Sequence, residues 1–315
     1  MRIVCIDGEA QYKDIVARDV KAPLEKAGHV FDWFEESFAD PEAAIARASG
    51  YDCLYVVGDQ GPVPAGLMER NPDLKLVSFV GTGARRFVNM DEAAKAGVTV
   101  TNVSDYASQS VAEHAIALMF AVARRINEGA SIIQAGGWDK NQGLKLSGRR
   151  IGVVGTGTIG RRVIAMAQGL GMEVVYWARS PRDDIKAQWV ALDELFATSD
   201  VVSLHLTHTQ ETDGMISRAL LEKMKPTAIF INTARAEIVD NVALNEIINA
   251  GAIFGAGLDV FPVEPPIEGT LPKTGLNTAL TPHIGFHTDE ANDVFGYAGQ
   301  NILAFIAGQP TNVVT

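Results

Sequence analysis

The chain has 315 residues, of which 47% are hydrophobic and 21% are charged, and its formal net charge at pH 7 is −11. A chain of this length can form two domains that each bury a hydrophobic core. The acidic balance argues against a broad surface for nucleic acid or for an anionic membrane, although a few local arginines can still bind a small anion.

The cysteines and the N-terminal run indicate the compartment. Cys5 and Cys53 lie in apolar, strand-like runs, which predicts two reduced core thiols rather than a disulfide or a zinc site. Asp7 interrupts the first apolar run before a secretory signal can form, and the apolar stretch 115–123 is too short to cross a bilayer. We therefore expect a cytoplasmic protein with no bound metal and no membrane partner.

The first hundred residues alternate between strand-like and helical patterns. The predicted strands are 2–6, 53–57, 76–80 and 98–102. The predicted helices are 12–27, 41–48 and 91–96. This alternation with short connections is typical of an α/β domain with a parallel sheet.

A second α/β region follows a long helix. This helix is predicted over 108–135, with Ser108 or Ser110 as its cap and Gly136-Gly137 at its end. Later strands are expected near 151–155, 173–177, 200–204, 228–232, 253–258 and 278–281. About six strands would complete a dinucleotide-binding sheet. A last helix over 289–307 needs a surface to pack on, and we expect it to return to the first domain.

A glycine-rich turn separates the first two of these later strands. Gly155, Gly157 and Gly160 form a GxGxxG motif, with Thr158 and Ile159 inside it, between a predicted strand and a predicted helix. The glycines permit a tight turn, a close approach of backbone to a pyrophosphate, and contact of helix with strand. The motif in this context predicts a dinucleotide site at a helix N-terminus.

The second strand of the motif ends without the acid that usually binds a ribose 2′-hydroxyl. Ala178, Arg179 and Ser180 stand there instead. An acid would repel a 2′-phosphate, whereas arginine and serine side chains bind one. The sequence therefore predicts NADP rather than NAD.

Three polar residues follow the last three strands. Arg235, Glu264 and His283 each come shortly after a strand's carboxyl end, where open α/β sheets bind ligands. Histidine suits proton transfer to a nascent alkoxide near neutral pH, and a neighbouring carboxylate fixes its tautomer. Arginine can bind a substrate carboxylate through two hydrogen bonds. This set predicts the reduction of a ketone by hydride transfer.

Motifs along nearly the whole chain resemble the D-isomer-specific 2-hydroxyacid dehydrogenase family. They include Val111-Ala112-Glu113-His114, Met224-Lys225-Pro226 and Thr281-Pro282-His283-Ile284-Gly285. The segment Ala178-Arg179-Ser180, which would face the ribose 2′-position, resembles that of the NADP-preferring glyoxylate/hydroxypyruvate reductase branch. The resemblance implies a Rossmann-type doubly wound sheet over 103–287. A discontinuous flavodoxin-like substrate domain would take 1–102 and 288–315.

The resemblance also implies residue roles. Arg235 would bind the substrate, His283 would be the acid–base catalyst, and Glu264 would be its partner. Other substrate contacts are expected at Gly58, Val80 and Gly81. Further cofactor contacts are expected at Thr207, Thr212, Thr233, Ala234, Asp259 and Gly285.

The same resemblance implies a homodimer through the helical region 108–135. Phe286 occupies a position that is often small in the family, and it would narrow the pocket or cover the nicotinamide. His114 is interpreted as a structural helix residue.

The leading hypothesis is an NADPH-dependent reductase that converts a small anionic 2-oxoacid, similar to glyoxylate or hydroxypyruvate, into the D-2-hydroxy acid. Two alternatives stay open. A cofactor-sensing binding protein similar to transcriptional corepressors would share the Arg–Glu–His set. An oxidative member of the family would act on another small anion, although an NADP-type pocket disfavours it.

Overall fold

The computed structural model describes residues 1–35, 40–58, 61–267, 270–273 and 275–314. It divides the chain into two units. Unit 1 comprises Met1–Tyr106 and Asp289–Thr315, and unit 2 comprises Ala107–Thr288. The crossovers thus fall at 106/107 and 288/289, where the sequence predicts 102/103 and 287/288.

Unit 1 contains a five-stranded parallel sheet. Its strands are β1 (Arg2–Cys5), β2 (Val30–Trp33), β3 (Cys53–Val56), β4 (Leu76–Phe79) and β5 (Thr99–Thr101). Their order is β2-β1-β3-β4-β5, a flavodoxin-like arrangement. The sequence pattern did not predict β2. This strand lies at the edge of the sheet and Phe31 is its one buried residue, so it lacks the continuous apolar run of a central strand.

Helices cover this sheet. They are α1 (Lys13–Val16), α2 (Ala22–Lys26), α3 (Pro41–Ala48), α4 (Leu67–Arg70), α5 (Ala84–Phe87) and α6 (Met90–Ala96). A 3-10 turn over Ala10–Tyr12 and a π-helical turn over Ala17–Lys21 make 10–26 one helical stretch. The single helix predicted over 12–27 therefore corresponds to several turns of different pitch.

Two helices lie where the sequence predicts one over 108–135, so that prediction is wrong. They are α7 (Ser108–Ala123) and α8 (Ile126–Gln134). Arg125 between them has a left-handed backbone, with φ 51°. The Ala123 carbonyl accepts a hydrogen bond from the Leu144 N–H at 2.7 Å. In a continuing helix the Ala123 carbonyl would accept from the N–H four residues later, but here it accepts from a residue distant in sequence.

Unit 2 contains a seven-stranded parallel sheet. Its strands are β6 (Arg150–Val154), β7 (Glu173–Trp177), β8 (Gln188–Trp189), β9 (Val201–Leu204), β10 (Ile229–Asn232), β11 (Gly255–Leu258) and β12 (Thr278–Leu280). Their order is β12-β11-β10-β9-β6-β7-β8. The chain reverses its direction of travel across the sheet between β6 and β9, and ligands bind at such a switch point in Rossmann-type folds.

The remaining helices complete both units. They are α9 (Thr158–Gly169), α10 (Leu192–Thr198), α11 (Arg218–Leu221), α12 (Asn241–Asn249) and α13 (Asp293–Ile306), with a 3-10 turn over Ala236–Ile238. Helix α13 lies in unit 1, where its Phe295 and Ala298 carbonyls accept hydrogen bonds from the hydroxyls of Tyr55 and Ser78.

The apolar cores lie on both faces of each sheet. In unit 2, one cluster includes Phe196 and Phe230, and the other packs α7 and α9 against strands β6 and β10. In unit 1, α13 contributes Val294 and Ile302 to one of two clusters. None of the helices in the described part of the chain combines the length and the apolar character needed to cross a membrane. The two-domain α/β fold class is confirmed.

Candidate functional site

The glycine motif forms a tight turn between β6 and α9. Gly155 has φ 97°, and a Cβ atom there would lie 2.5 Å from the His205 carbonyl oxygen. A Cβ atom on Gly160 would lie 2.0 Å from the Gly155 carbonyl oxygen. Gly157, in contrast, faces open space, because a Cβ atom there would meet nothing within 4 Å. The packed side of the turn excludes side chains, and its open side leaves room for a ligand to approach the backbone.

The start of α9 presents backbone donors at this open side. Helix α9 begins at Thr158, and its N-cap, Gly157, supplies no side-chain hydrogen bond to the first turn. Ile159 is partly buried against the unit 2 core. Free N–H groups at a helix N-terminus favour an anion. The turn therefore fits a dinucleotide pyrophosphate.

The segment after β7 is held in place by aromatic side chains. The Trp189 indole N–H donates to the Ala178 carbonyl at 3.0 Å, and the Tyr176 hydroxyl accepts from the Arg182 N–H at 2.7 Å. Arg179 and Ser180 are exposed. A fixed backbone with an exposed cation and hydroxyl has the chemistry to bind a phosphate monoester.

An acid lies near Arg179, and the sequence did not indicate it. A hydrogen bond from the Thr209 hydroxyl, at 2.6 Å, and the positive charge of Arg179 both lower the pKa of Glu211. Glu211 follows β9, and Arg179 follows β7. These two strands flank β6. The sequence does not show that the loops after them approach each other, because the two residues lie at different distances from their strands.

The loop after β9 is stabilised by its own threonines. The Thr212 hydroxyl donates to the Thr207 carbonyl at 2.8 Å. Just before this loop, His205 lies beneath the glycine turn, and its Nε2 atom is 2.8 Å from the Ser203 hydroxyl. Burial lowers the pKa of His205 to about 3, so the ring is neutral at pH 7.

The turn after β10 places Arg235. Buried Asn232 supports this turn, because its side chain accepts from the Ala234 N–H and donates to the Arg235 carbonyl, each at 3.0 Å. The Arg235 guanidinium donates to the Ala234 carbonyl at 2.6 Å. Thr233 is 7% exposed, and its hydroxyl oxygen has no hydrogen-bond partner within the described residues. An unpaired buried hydroxyl in this turn fits a bound ligand, because such groups are costly to leave unsatisfied.

Glu264 and His283 form a direct pair. The Nδ1 atom of His283 is 2.8 Å from one carboxylate oxygen of Glu264, and the other oxygen accepts from the Phe261 N–H at 3.1 Å. Hydrogen bonding to a carboxylate places a proton on Nδ1 and leaves Nε2 available for chemistry. The two side chains are about one-third exposed, at 32% and 30%, so solvent and ligands reach the pair.

Asp259 lies behind the segment that carries His283. Its carboxylate is 2% exposed and accepts the backbone N–H groups of Ile284 and Gly285, each at 2.9 Å. It also accepts the Thr281 hydroxyl at 2.6 Å. Burial raises the pKa of Asp259, but hydrogen bonds from His114, Thr281, Ile284 and Gly285 outweigh it and leave the pKa below the ordinary aspartate value. The role proposed from sequence, contact with the cofactor, stays a prediction.

The substrate residues predicted in unit 1 lie at the ends of two neighbouring strands. Gly58 follows β3, and Val80 and Gly81 follow β4. Their backbone N–H groups donate to the Asp7 carboxylate, the Val56 carbonyl and the Phe79 carbonyl, respectively. A substrate that bound these N–H groups would therefore have to displace the acceptors to which they already donate. The substrate contact stays a prediction.

The arrangement in unit 2 brings together side chains that can transfer a proton and side chains that can bind an anion. Strands β10, β11 and β12 are adjacent, and Arg235, Asp259 and His283 follow their carboxyl ends. Among the described ranges, no group of three His, Cys, Asp or Glu side chains is arranged to hold a metal ion. The chemistry on offer is thus general acid–base catalysis next to a dinucleotide-type turn.

The chain resembles known proteins over this arrangement and beyond it. Residues 116–285 match the family model described as "D-isomer specific 2-hydroxyacid dehydrogenase, NAD binding domain". A glycerate dehydrogenase of Methylorubrum extorquens is 33% identical over 99% of this chain and 98% of its own. A glyoxylate reductase of Thermococcus litoralis is 38% identical over 79% of each chain.

A solved structure has the same fold over its full length. It is an acyclic imino acid reductase in complex with NADPH and D-Arg, 28% identical, with a TM-score of 0.86 over 100% of both chains. The match to the family model spans the glycine turn, Arg235, Glu264 and His283. The chain therefore belongs to the D-isomer specific 2-hydroxyacid dehydrogenase family, whose cofactor is a nicotinamide dinucleotide.

Proposed function

We propose that this protein is an NADPH-dependent reductase of a small 2-oxoacid, such as glyoxylate or hydroxypyruvate, and that its product is the D-2-hydroxy acid. One observation carries the proposal, namely the His283–Glu264 pair with 2.8 Å between Nδ1 and the carboxylate. Relatives named glyoxylate reductase and hydroxypyruvate reductase support this substrate class.

The chain's own residues then have separate tasks. A bound nicotinamide cofactor supplies hydride. His283 donates the proton on Nε2 to the carbonyl oxygen, while Glu264 fixes the orientation and the tautomer of the ring through Nδ1. Arg235 binds the substrate carboxylate and orients the carbonyl, because a guanidinium can make two parallel hydrogen bonds to one carboxylate.

The cofactor preference rests on the segment after β7. Arg179 and Ser180 are exposed there, and Ala178 stands where an acid would bind the ribose 2′-hydroxyl. The structural neighbour that contains NADPH has the same fold over its whole length, which supports the proposal. Thr158 and the first turn of α9 would bind the pyrophosphate, and Thr233 would offer its unpaired hydroxyl.

A homodimer is proposed through the helical region 108–135. On α8, Ile126 and Ile133 are seven residues apart, so they share a helix face, and both are more than half exposed. Trp138 follows the helix and is 78% exposed. Exposed large apolar side chains in one region of a surface are typical of a protein interface. The buried, free thiols of Cys5 and Cys53 support a cytoplasmic location.

A panel of small 2-oxoacids with NADPH and NADH in parallel tests the proposal. We expect turnover with glyoxylate or hydroxypyruvate and a higher kcat/KM with NADPH. Tight binding of NADPH without turnover of any 2-oxoacid would instead favour a cofactor-sensing binding protein. Turnover in the oxidative direction alone would favour a dehydrogenase of another small anion.

A further inference from the structure

Helix α7 contacts both ends of the segment that carries His283. The His114 ring Nε2 is 2.9 Å from the Thr281 hydroxyl, at the start of this segment. The Ser110 hydroxyl is 3.2 Å from the Thr288 hydroxyl, at its end. Ser110 and His114 are four residues apart and lie on one face of the helix. One helical turn of α7 therefore spans the catalytic segment 281–288.

The hydrogen-bond pattern places a proton on the Nε2 atom of His114. The Thr281 hydroxyl has a single proton, and it donates that proton to the Asp259 carboxylate at 2.6 Å. Toward His114 the same oxygen must therefore accept, so Nε2 of His114 carries a proton. This N–H also lies 3.4 Å from the same carboxylate oxygen of Asp259. His114 is thus a donor to a buried anion, with its side chain only 19% exposed.

Asp259 transmits this contact to the catalytic residue. Its two oxygens accept the backbone N–H groups of Ile284 and Gly285, the two residues that follow His283. His283 itself has a left-handed backbone, with φ 54°, which a non-glycine residue adopts only when its surroundings impose it. Gly285 packs closely here, because a Cβ atom on it would lie 2.9 Å from Asp259 and 3.4 Å from the His114 ring.

The same helix also contacts the glycine turn. The Ser108 hydroxyl donates to the Thr158 hydroxyl at 3.2 Å, and Thr158 is the first residue of α9. The sequence predicts Ser108 or Ser110 as the cap of this helix, but the N-cap is Ala107 without a side-chain hydrogen bond, so the cap prediction is wrong. The first turns of α7 thus contact both the first residue of α9, within the glycine motif, and the catalytic segment.

We propose that His114 is a positioning residue for His283, and that α7 sets the place of the catalytic segment relative to the glycine turn. The proposal rests on the proposed function for the role of His283. His114 does not touch substrate in this account. It donates to Thr281 and Asp259, and these residues keep the imidazole of His283 aligned with Glu264.

Paired substitutions test the proposal by separating a lost hydrogen bond from lost packing. His114→Leu removes the donor at similar volume, and His114→Gln keeps an N–H donor. Thr281→Val removes the hydroxyl, and Thr281→Ser keeps it. We expect His114→Leu and Thr281→Val each to lower kcat about tenfold or more, with KM for glyoxylate and the Kd for NADPH little changed. His114→Gln and Thr281→Ser should recover most of kcat.

The controls distinguish positioning from stability. Val122→Ala removes a core contact on the same helix. It affects none of the hydroxyls that α7 contacts, which are those of Thr158, Thr281 and Thr288, so it should lower Tm without lowering kcat. Because the two substituted residues act on one carboxylate, His114→Leu with Thr281→Val should be no worse than either alone. Wild-type kcat in His114→Leu, or equal losses in His114→Leu and His114→Gln, would overturn the proposal.

A second readout does not depend on turnover. Amide hydrogen exchange of Ile284 and Gly285, measured on the cofactor-free protein, should be faster in His114→Leu and Thr281→Val than in the wild type or in Val122→Ala. If the wild type reduces no 2-oxoacid, the proposed function fails while this measurement still decides the contact. Unchanged exchange at both amides would contradict the positioning role.

Discussion

The Nδ1 atom of His283 lies 2.8 Å from Oε2 of Glu264, although the two residues are 19 positions apart. They meet because β11 and β12 are parallel neighbours, so the chain leaves both strands at the same edge of the sheet. The pair directs the second ring nitrogen of His283 away from Glu264.

Replacing His283 with Gln should lower kcat by about 100-fold or more, because general acid catalysis contributes roughly that much. Glu264→Gln should lower kcat less, since it keeps a hydrogen-bond partner but loses the charge. Steady-state kinetics with NADPH and glyoxylate measure both effects. Fluorescence titration should show unaltered NADPH binding, and near-normal turnover of His283→Gln would refute the catalytic assignment.

Cofactor preference should respond to the residues after β7. Ala178→Asp is expected to reduce kcat/KM for NADPH by about tenfold or more, because the new carboxylate repels a 2′-phosphate. The value for NADH should stay constant or rise. Arg179→Ala should weaken the binding of NADPH and leave the binding of NADH unchanged. The ratio of kcat/KM for the two cofactors is the measurement, and an NADH preference in the wild type would show that the segment had been misinterpreted.

Glu211 should limit the affinity for NADPH. Its carboxylate interacts with the charge of Arg179, so it competes with a 2′-phosphate for that cation. Glu211→Gln is expected to tighten NADPH binding by roughly twofold or more, because it removes a negative charge near the cation that would bind the 2′-phosphate. The change should shrink at high salt. Equal effects on NADPH and NADH would mean that Glu211 acts on the loop and not on the phosphate.

Phe286 should restrict substrate size. Its ring centroid is 6.0 Å from that of His283, with the planes at 83°, so a carbonyl that hydrogen-bonds His283 places its substituent near this ring. Phe286→Ala should raise kcat/KM for 2-oxo-4-methylpentanoate relative to glyoxylate by about tenfold, an effect typical of pocket size. Phe286→Leu should give an intermediate ratio. A ratio independent of the side chain at 286 would remove Phe286 from the pocket.

His205 should make stability fall in mild acid. Its folded-state pKa, about 3, lies below the ordinary value of about 6.5. Stability from this neutral ring is complete above pH 6.5 and is lost as pH falls toward 3, because only the unfolded chain takes up the proton. The slope is about 1.4 kcal/mol per pH unit for one proton. The free energy of unfolding in urea, measured between pH 7 and 4, should fall less steeply for His205→Gln than for the wild type. Parallel curves for the two proteins would contradict the assignment.

Sequence patterns predicted the features that depend on neighbouring residues. The central strands are continuous apolar runs, and the glycine motif specifies its own turn, so the fold class followed directly. The edge strand β2 escaped prediction because Asp32 interrupts its short apolar run.

Features that depend on distant residues could not be predicted. The helix break at Arg125 coincides with a hydrogen bond from Leu144 to Ala123, two residues that are far apart in sequence. The interaction of Glu211 with Arg179 joins two loops. His114 looked structural in sequence because nothing near it in the chain indicates Thr281 or Asp259 as its partners.

The two crossovers also set an order of events during synthesis. Tyr55 and Ser78 donate to the carbonyls of Phe295 and Ala298, which the ribosome makes more than two hundred residues later. Residues 107–288 are complete by then, and domains fold as units while the chain emerges. The newly made N-terminal hundred residues must therefore wait, with part of one sheet face uncovered, until the last helix arrives, and that interval is when a chaperone has most to protect.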